Sequence, residues 1–363
     1  MRDWLRWGRP SKPAPERTAT AQLRSALHLV LAGDLPAAEA QLAEAARLDS
    51  SSSDVYLALA NLYRLRGDIG RAIQVHQNLL LRPDISDELR REALLGLALD
   101  FRAGGFLKRA GASFEDLLRL EPGNLQALRA LERIKIDSGD WEGAVQIRNQ
   151  IGSRDPATPK VLAHLWTGHG RGRAARGIEA EARRAFKRAV AQDPDCAEAY
   201  VALGDQRFRE GSTKKAIGLF RRALGLHPAI GRLLYPRLYE SYEKLGDMAG
   251  LERLLRERVD VEPEDADAAL WLARAIAAQS RADEALAHLQ RLLDRAPAQL
   301  ALHAEIGRVL LRENRELEAR KAFEELLERL PTEPRALACR SCGAQDLVLH
   351  FRCPQCGEWD SFS

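Results

Sequence analysis

Apolar residues in this chain recur at three- and four-residue spacing in short stretches, and the stretches come in pairs. Inside a pair the pattern breaks at Gly followed by Asp, as at Gly33-Asp34, Gly67-Asp68, Gly139-Asp140 and Gly246-Asp247. Between pairs it breaks at Pro83, Pro122, Pro156, Pro194, Pro228, Pro263, Pro297 and Pro331, with spacings of 39, 34, 38, 34, 35, 34 and 34 residues. Each unit is therefore predicted to be two short antiparallel helices. Gly supplies the turn, and Pro closes the second helix because its ring cannot continue a helix interior.

Side-chain size repeats with the same period. The second helix of each unit carries a small residue at Ala38, Ala72, Ala110, Ala144, Ala182, Ala216, Ala285 and Ala319, and only Leu251 departs from that series. One turn later a large residue follows at Leu42, Phe114, Phe186, Phe220, Leu255, Leu289 and Phe323, while His76 and Arg148 break the slot. First helices carry their own small slot at Ala26, Ala60, Ala98, Gly170, Gly204, Ala273 and Gly307, near Leu59, Leu97, Leu203 and Tyr63, with Glu132 and Tyr239 as the weak positions. Small beside large is what close helix crossing requires. In this order the residues resemble the tetratricopeptide repeat, and nine copies are counted from about Ala19 to Pro331. The fold expected is all-α, a tetratricopeptide-repeat superhelical solenoid over 19–331 with an extended surface suited to binding polypeptides.

After Pro331 and Pro334 the helical period stops. Cys339-Arg-Ser-Cys342-Gly343 is followed by Cys353-Pro354-Gln-Cys356-Gly357, two C-x-x-C pairs each ending in Gly. Four thiolates make a tetrahedral set that suits Zn or a single Fe, and each Gly can take the positive φ that turns backbone N–H groups toward bound sulfur. From Arg335 to Ser363 there are 29 residues, below the roughly 40 at which a domain holds itself without metal or cross-link. Residues 335–363 are thus expected to form a small rubredoxin-like or zinc-ribbon module. Its metal ligands are Cys339, Cys342, Cys353 and Cys356, and the closed shell leaves no open position for metal-activated water. Leu347 to Phe351 is predicted to be a short strand pair, and Trp359 and Phe362 are expected to cover the site or dock it on the last repeat.

Composition narrows the function. Charged residues make up 29% and hydrophobic residues 45% of 363 positions, as in a folded protein. The longest apolar runs, such as Ala93 to Leu99, are far shorter than the roughly 20 residues that cross a bilayer. Net charge is +3, all of it carried by the first 17 residues. A neutral body argues against a nucleic-acid binder, and the 335–363 module is itself balanced, with Arg335, Arg340 and Arg352 against Asp346, Glu358 and Asp360. Residues 1–18 are expected to be a flexible basic tail, with Trp4-Leu5-Arg6-Trp7 too short to anchor in a membrane alone. The Gly168 to Arg173 stretch lacks the strand that a phosphate-gripping loop needs and is read as repeat helix, whose arginines with Arg176 could face an acidic partner. Cys196 is read as a small packing residue. The other histidines, His28, His76, His164, His169, His227, His288 and His303, lack ligand spacing, and no catalytic motif is found, so no enzyme activity is expected.

Nine tetratricopeptide repeats joined to Cys339, Cys342, Cys353 and Cys356, closed by Gly357 and Trp359, resemble the lipopolysaccharide assembly protein B family, LapB or YciM, of Gram-negative bacteria. The resemblance covers Ala19 to Ser363. It implies a non-enzymatic cytoplasmic adaptor at the inner membrane that restrains lipopolysaccharide synthesis by promoting turnover of the deacetylase LpxC by the membrane protease FtsH, alongside lipopolysaccharide assembly proteins. It further implies a rubredoxin-like module that binds iron and packs on the repeats. Where that family carries a transmembrane helix, this sequence has Met1 to Arg17. The expectation is then peripheral docking at the cytoplasmic face of the inner membrane, or a soluble relative with a shifted role. The alternative reading is a soluble repeat scaffold with a redox-active iron site, for electron transfer or redox sensing.

Overall fold

The computed structural model describes residues 18–295, 299–328 and 336–362. The expected basic tail before Thr18, its Trp4 to Trp7 segment, Pro297, Pro331 and Pro334 lie outside the described residues. The chain divides into two compact units, at Asp155 and Pro156.

In the first unit, α1 (Ala19–Leu31) pairs with α2 (Leu35–Leu48), α3 (Ser53–Leu65) with α4 (Ile69–Leu80), α5 (Asp87–Ala103) with α6 (Leu107–Leu120), and α7 (Leu125–Asp137) with α8 (Trp141–Ile151). In the second, α9 (Thr158–Ala175) pairs with α10 (Glu179–Gln192), α11 (Ala197–Arg209) with α12 (Thr213–Leu226), and α13 (Gly231–Leu245) is followed by α14 (Met248–Val261). The pairs α15 (Ala266–Ala277) with α16 (Ala282–Arg295) and α17 (Leu300–Arg312) with α18 (Glu316–Glu328) complete the helices. Each described pair is a helix hairpin of the repeat that the sequence predicts.

The turns explain the Gly-Asp signature. Gly33 sits at φ +80° and Gly139 at φ +74°, a left-handed conformation that a side chain disfavours. The Asp that follows caps the next helix: Asp34 accepts from the Ala37 N–H at 3.1 Å and Asp140 from the Gly143 N–H at 3.0 Å. In the last two hairpins Ser280 (φ +60°) and Asn314 (φ +56°) take the same conformation without Gly.

Hairpins close by a knob meeting a flat spot. All eight small-slot alanines of the second helices are fully buried. Gly204 on α11 faces Phe220 on α12 so closely that an added Cβ would lie 2.4 Å from the ring. Gly170 with Phe186 and Gly307 with Phe323 repeat that contact. The irregular slots compensate one another. Glu132 and Arg148, out of pattern on α7 and α8, are both buried and joined by a two-pronged ion pair with Arg148 Nε 2.6 Å from Glu132 Oε1. His76 on α4, buried where Phe is usual, donates to Asp100 on α5 at 2.5 Å, and Asp100 also accepts from Arg64 at 2.9 Å. Leu251 is too large for a close crossing, and α14 packs chiefly on α15.

The strand pair of the terminal module lies elsewhere than expected. β1 (Leu337–Ala338) pairs antiparallel with β2 (Gln345–Asp346), flanking the first Cys pair, while residues 347–351 form bends with no strand. The physical reason is the first knuckle, whose tight turn brings its own flanks together and leaves the intervening apolar residues free to pack.

A four-cysteine candidate metal centre

Two nearly identical knuckles build the site. In the first, Gly343 N–H donates to the Cys339 carbonyl at 2.8 Å and Cys339 N–H to the Ala344 carbonyl at 2.8 Å. In the second, Gly357 N–H donates to the Cys353 carbonyl at 2.9 Å and Cys353 N–H to the Glu358 carbonyl at 2.8 Å. Both turns depend on positive φ, +74° at Gly343 and +78° at Gly357, which is why Gly ends each C-x-x-C pair.

The knuckles converge. Sγ of Cys339 lies 3.7 Å from that of Cys356, and Sγ of Cys342 lies 3.7 Å from that of Cys353, with all four sulfurs inside 4.8 Å of one another. Those separations are far beyond a disulfide bond of about 2.05 Å. They match the edge of a tetrahedron, about 3.8 Å, drawn by sulfurs 2.3 Å from one central ion. Cys339 and Cys353 are buried with Phe362 as the core of the module, and Cys342 and Cys356 are exposed. Phe362 therefore covers the site from within, as the sequence suggests.

Proton affinity separates the thiols. The Ser361 hydroxyl, 3.2 Å from Cys339 Sγ, and the Cys342 and Ser341 N–H groups bring Cys339 down to about 6. The Ala344 N–H favours the Cys342 thiolate, yet partial loss of water around this sulfur and the nearby sulfurs of Cys356, Cys339 and Cys353 push Cys342 up to about 12. Four clustered sulfurs cannot all ionise near neutral pH by themselves, and a divalent or trivalent ion removes that conflict. A four-cysteine metal-binding site is thus present, and its donor set fits Zn and a single Fe equally.

What the sequence did not reveal is where the module docks. It sits on α9, not on the last repeat. Trp359 stacks on His164 with ring centroids 4.4 Å apart and planes 8° from parallel, and the Arg352 guanidinium lies 5.7 Å from the same indole. The next residue, Asp360, held at φ +52° by a 2.6 Å bond to the Phe351 carbonyl, accepts from His164 Nε2 and Lys160 Nζ, each at 3.2 Å. His164 Nδ1 donates to Glu198 on α11 at 2.6 Å, and Arg171 also pairs with Glu198. With both nitrogens facing carboxylates the buried ring is an imidazolium. Burial opposes its charge, but bonds to Asp360, Cys196 and Glu198 raise its pKa well above 6.5. Leu349 and Phe351 complete the seat against the core of α11 to α16.

Other sequence candidates resolve as follows. Gly168 to Arg173 is the interior of α9, and Arg171 and Arg173 are paired with Glu198 and Glu181, so these two do not form a free basic patch. Cys196 is buried in a small apolar cluster with Ala163, Ala189 and Ala199, 4.0 Å from His164 Nδ1. The signal that could have exposed His164 is the string His164, Cys196, Glu198, polar groups at core spacing on adjacent first helices. No described helix is long and apolar enough to cross a membrane.

Known proteins resemble this chain along most of its length. The chain is 26% identical over 317 residues to lipopolysaccharide assembly protein B of Escherichia coli (strain K12), covering 86% of this chain and 81% of that one. It is 28% identical over 327 residues to lipopolysaccharide assembly protein B of Haemophilus influenzae, covering 86% and 79%. Among solved structures, YrrB, described as a TPR protein with an unusual peptide-binding site, aligns with a TM-score of 0.39 at 18% identity, over 51% of this chain and 91% of that one. Residues 338–363 match the rubredoxin metal binding domain, which agrees with the sulfur geometry. The tetratricopeptide repeat model matches residues 23–87, 169–229, 249–299 and 277–334, more than half of the sequence, and the chain belongs to that family of helix-hairpin repeat proteins.

Proposed function

We propose that this chain is a non-enzymatic adaptor that regulates lipopolysaccharide synthesis. Its repeats, 19–331, hold protein clients, and its module, 335–363, grips one Fe or Zn ion through Cys339, Cys342, Cys353 and Cys356. The clients proposed are the deacetylase LpxC, an FtsH-type membrane protease and lipopolysaccharide assembly proteins. The place of action is the cytoplasm, at the inner face of the inner membrane, reached by peripheral docking.

The observation that carries this reading is the joining of the two parts. A four-thiol module seated by Trp359 and Asp360 on a buried charge inside a repeat array makes the ion part of the scaffold, in a chain that resembles proteins named for lipopolysaccharide assembly. A closed sulfur shell suits a structural ion and offers no coordination site for substrate.

The test is deletion of the gene in its host, with deacetylase abundance and lipopolysaccharide measured, and affinity capture with the full chain. Raised deacetylase levels after deletion, restored by the wild-type chain and not by Cys342→Ser, are expected. Unchanged deacetylase levels together with capture of neither deacetylase nor protease would overturn the proposal. A redox-active iron site is the second reading, favoured by sulfur separations that fit Fe as well as Zn. Visible absorption and a reversible reduction potential in the purified protein support it, and a colourless, redox-silent protein removes it.

A further inference from the structure

In the second unit the first helices α11, α13, α15 and α17 carry two clefts that meet at Pro236 and Glu240. The cleft beside α11, about 510 Å³, has Phe208, Phe220 and Pro236 in its lining together with the internal ion pair of Asp205 and Arg237, 2.7 Å apart. The cleft toward α17, about 340 Å³, has an aromatic floor, Tyr239 and Trp271, with ring centroids 5.5 Å apart, and Arg274 lies 4.2 Å over the Trp271 ring.

The walls of the second cleft carry opposite charges that are not spent on each other. On the α15–α17 side, buried Glu305 binds both Arg274, at 2.7 Å, and Arg308, at 2.9 Å, so that trio keeps one positive charge. Arg312, exposed one turn further on, has no acidic partner among the described residues. This wall therefore carries two positive charges in excess. On the α13 side, Glu240 and Glu243 are exposed and have no basic partner among the described residues, which leaves two negative charges in excess.

Uncompensated charges that face each other across an aromatic floor select a ligand that is itself dipolar. An acidic wall repels a phosphate backbone, and a basic wall repels a polycation. We infer that this cleft takes an extended peptide segment in which an apolar or aromatic side chain, laid on Tyr239 and Trp271, is flanked by a basic residue toward Glu240 and Glu243 and an acidic residue toward Arg308 and Arg312. The inference rests on the adaptor reading above and gives its client a local chemistry. Electrostatic complementarity of this kind supplies specificity more than raw affinity, so discrimination between peptides is the quantity to read.

The test uses the full chain and fluorescein-labelled peptides followed by anisotropy: Gly-Lys-Ser-Trp-Ser-Glu-Gly, its all-Lys and all-Glu counterparts, and a version with Trp replaced by Ser. The dipolar peptide is expected to bind about tenfold or more tighter than each of the others. Trp271→Ala should abolish that preference. Arg312→Glu should shift preference toward the all-Lys peptide, and Glu240→Lys with Glu243→Lys toward the all-Glu peptide; these exposed positions leave helicity, checked by circular dichroism, unchanged. Equal binding of the four peptides, or preferences indifferent to the wall substitutions, would overturn the inference. If the chain still captures the deacetylase while the peptides bind alike, the cleft assignment fails and the adaptor reading stands. If the dipolar peptide binds selectively while no client is captured, the reverse holds.

Discussion

Trp359 lies flat on His164, its ring 4.4 Å away and 8° from parallel, so the residue three positions after the last cysteine of the knuckles rests on a charge buried in the repeat array. The indole face favours a cation, and the imidazolium gains this contact beside its two carboxylates. Removing the cation should release the module without emptying it. His164→Ala is expected to lower the cost of undocking by about 3 kcal/mol, the scale for breaking a buried ion pair. Hydrogen exchange at residues 349–360 should rise while metal content stays at one ion per chain.

The docking contact should also have a pH optimum. In the docked state His164 has a pKa well above 6.5, raised by Asp360, Cys196 and Glu198 against the effect of burial. Its contribution is whole below about pH 6.5, the value of a free imidazole, and is lost as pH rises through the raised value. Asp360 behaves oppositely. Burial raises its pKa, but His164 and Lys160 lower it below 3.8 overall, so its share is present above that value and lost as pH falls through the lowered one. The other charged groups that face this pair are Lys160 on α9, against Asp360, and Glu198 on α11, which binds both His164 and Arg171. Protection factors at 349–360, taken relative to the unprotected amide at each pH, should be highest in mildly acidic to neutral buffer and should fall in alkali; that alkaline fall should vanish in His164→Gln.

Chelation separates module from array. A structural four-thiolate ion contributes on the order of 10 to 16 kcal/mol to folding of a segment that buries little besides Cys339, Cys353 and Phe362. Metal removal, or Cys353→Ser, should abolish amide protection at residues 337–362 while far-ultraviolet circular dichroism keeps nearly all of its helical signal. A matching collapse of helix content would show that the array depends on the ion.

Glycines in the helices are not equivalent. Gly204→Ala would put a Cβ 2.4 Å from the Phe220 ring and should cost about 1 to 3 kcal/mol, the range for overpacking a core. Gly218 on α12 meets nothing within 4 Å. Gly218→Ala should instead stabilise by about 0.5 to 1 kcal/mol through helix propensity. Thermal or urea unfolding of the two variants should move in opposite directions.

The buried pair of Glu132 and Arg148 replaces the usual small and large slots of its repeat. Glu132→Ala alone strands Arg148, which keeps only Asp155 at 2.9 Å, and should cost about 3 to 5 kcal/mol. Adding Arg148→Phe, which gives the repeat the small and large slots filled elsewhere by Ala98 and Phe114, should recover most of that loss. A double-mutant cycle in urea gives the coupling directly.

Helix hairpins, their turns and the four sulfurs were legible because each rests on local chemistry. Gly before Asp writes a left-handed turn and a cap into adjacent positions, and C-x-x-C-G does the same for a knuckle. The departures from pattern were legible as departures but not as partners. His76, Glu132, Arg148 and Leu251 break their slots, and only three-dimensional packing shows that Glu132 answers Arg148 and His76 answers Asp100. The docking seat was hidden for the same reason. His164 and Asp360 stand 196 positions apart, and no local period connects them. The strand pair was misplaced because Leu347 to Phe351 has strand-like composition, while the ladder is set by the turn at Cys339 to Cys342.

That long separation bears on how the molecule is made. A ribosome completes α9 and α11 well before it delivers Trp359 and Asp360, so every nascent copy passes through a period in which Glu198 and His164 face water without their later partner. The seat is thus made first, and it closes only when the knuckles that carry Trp359 and Asp360 have folded against it.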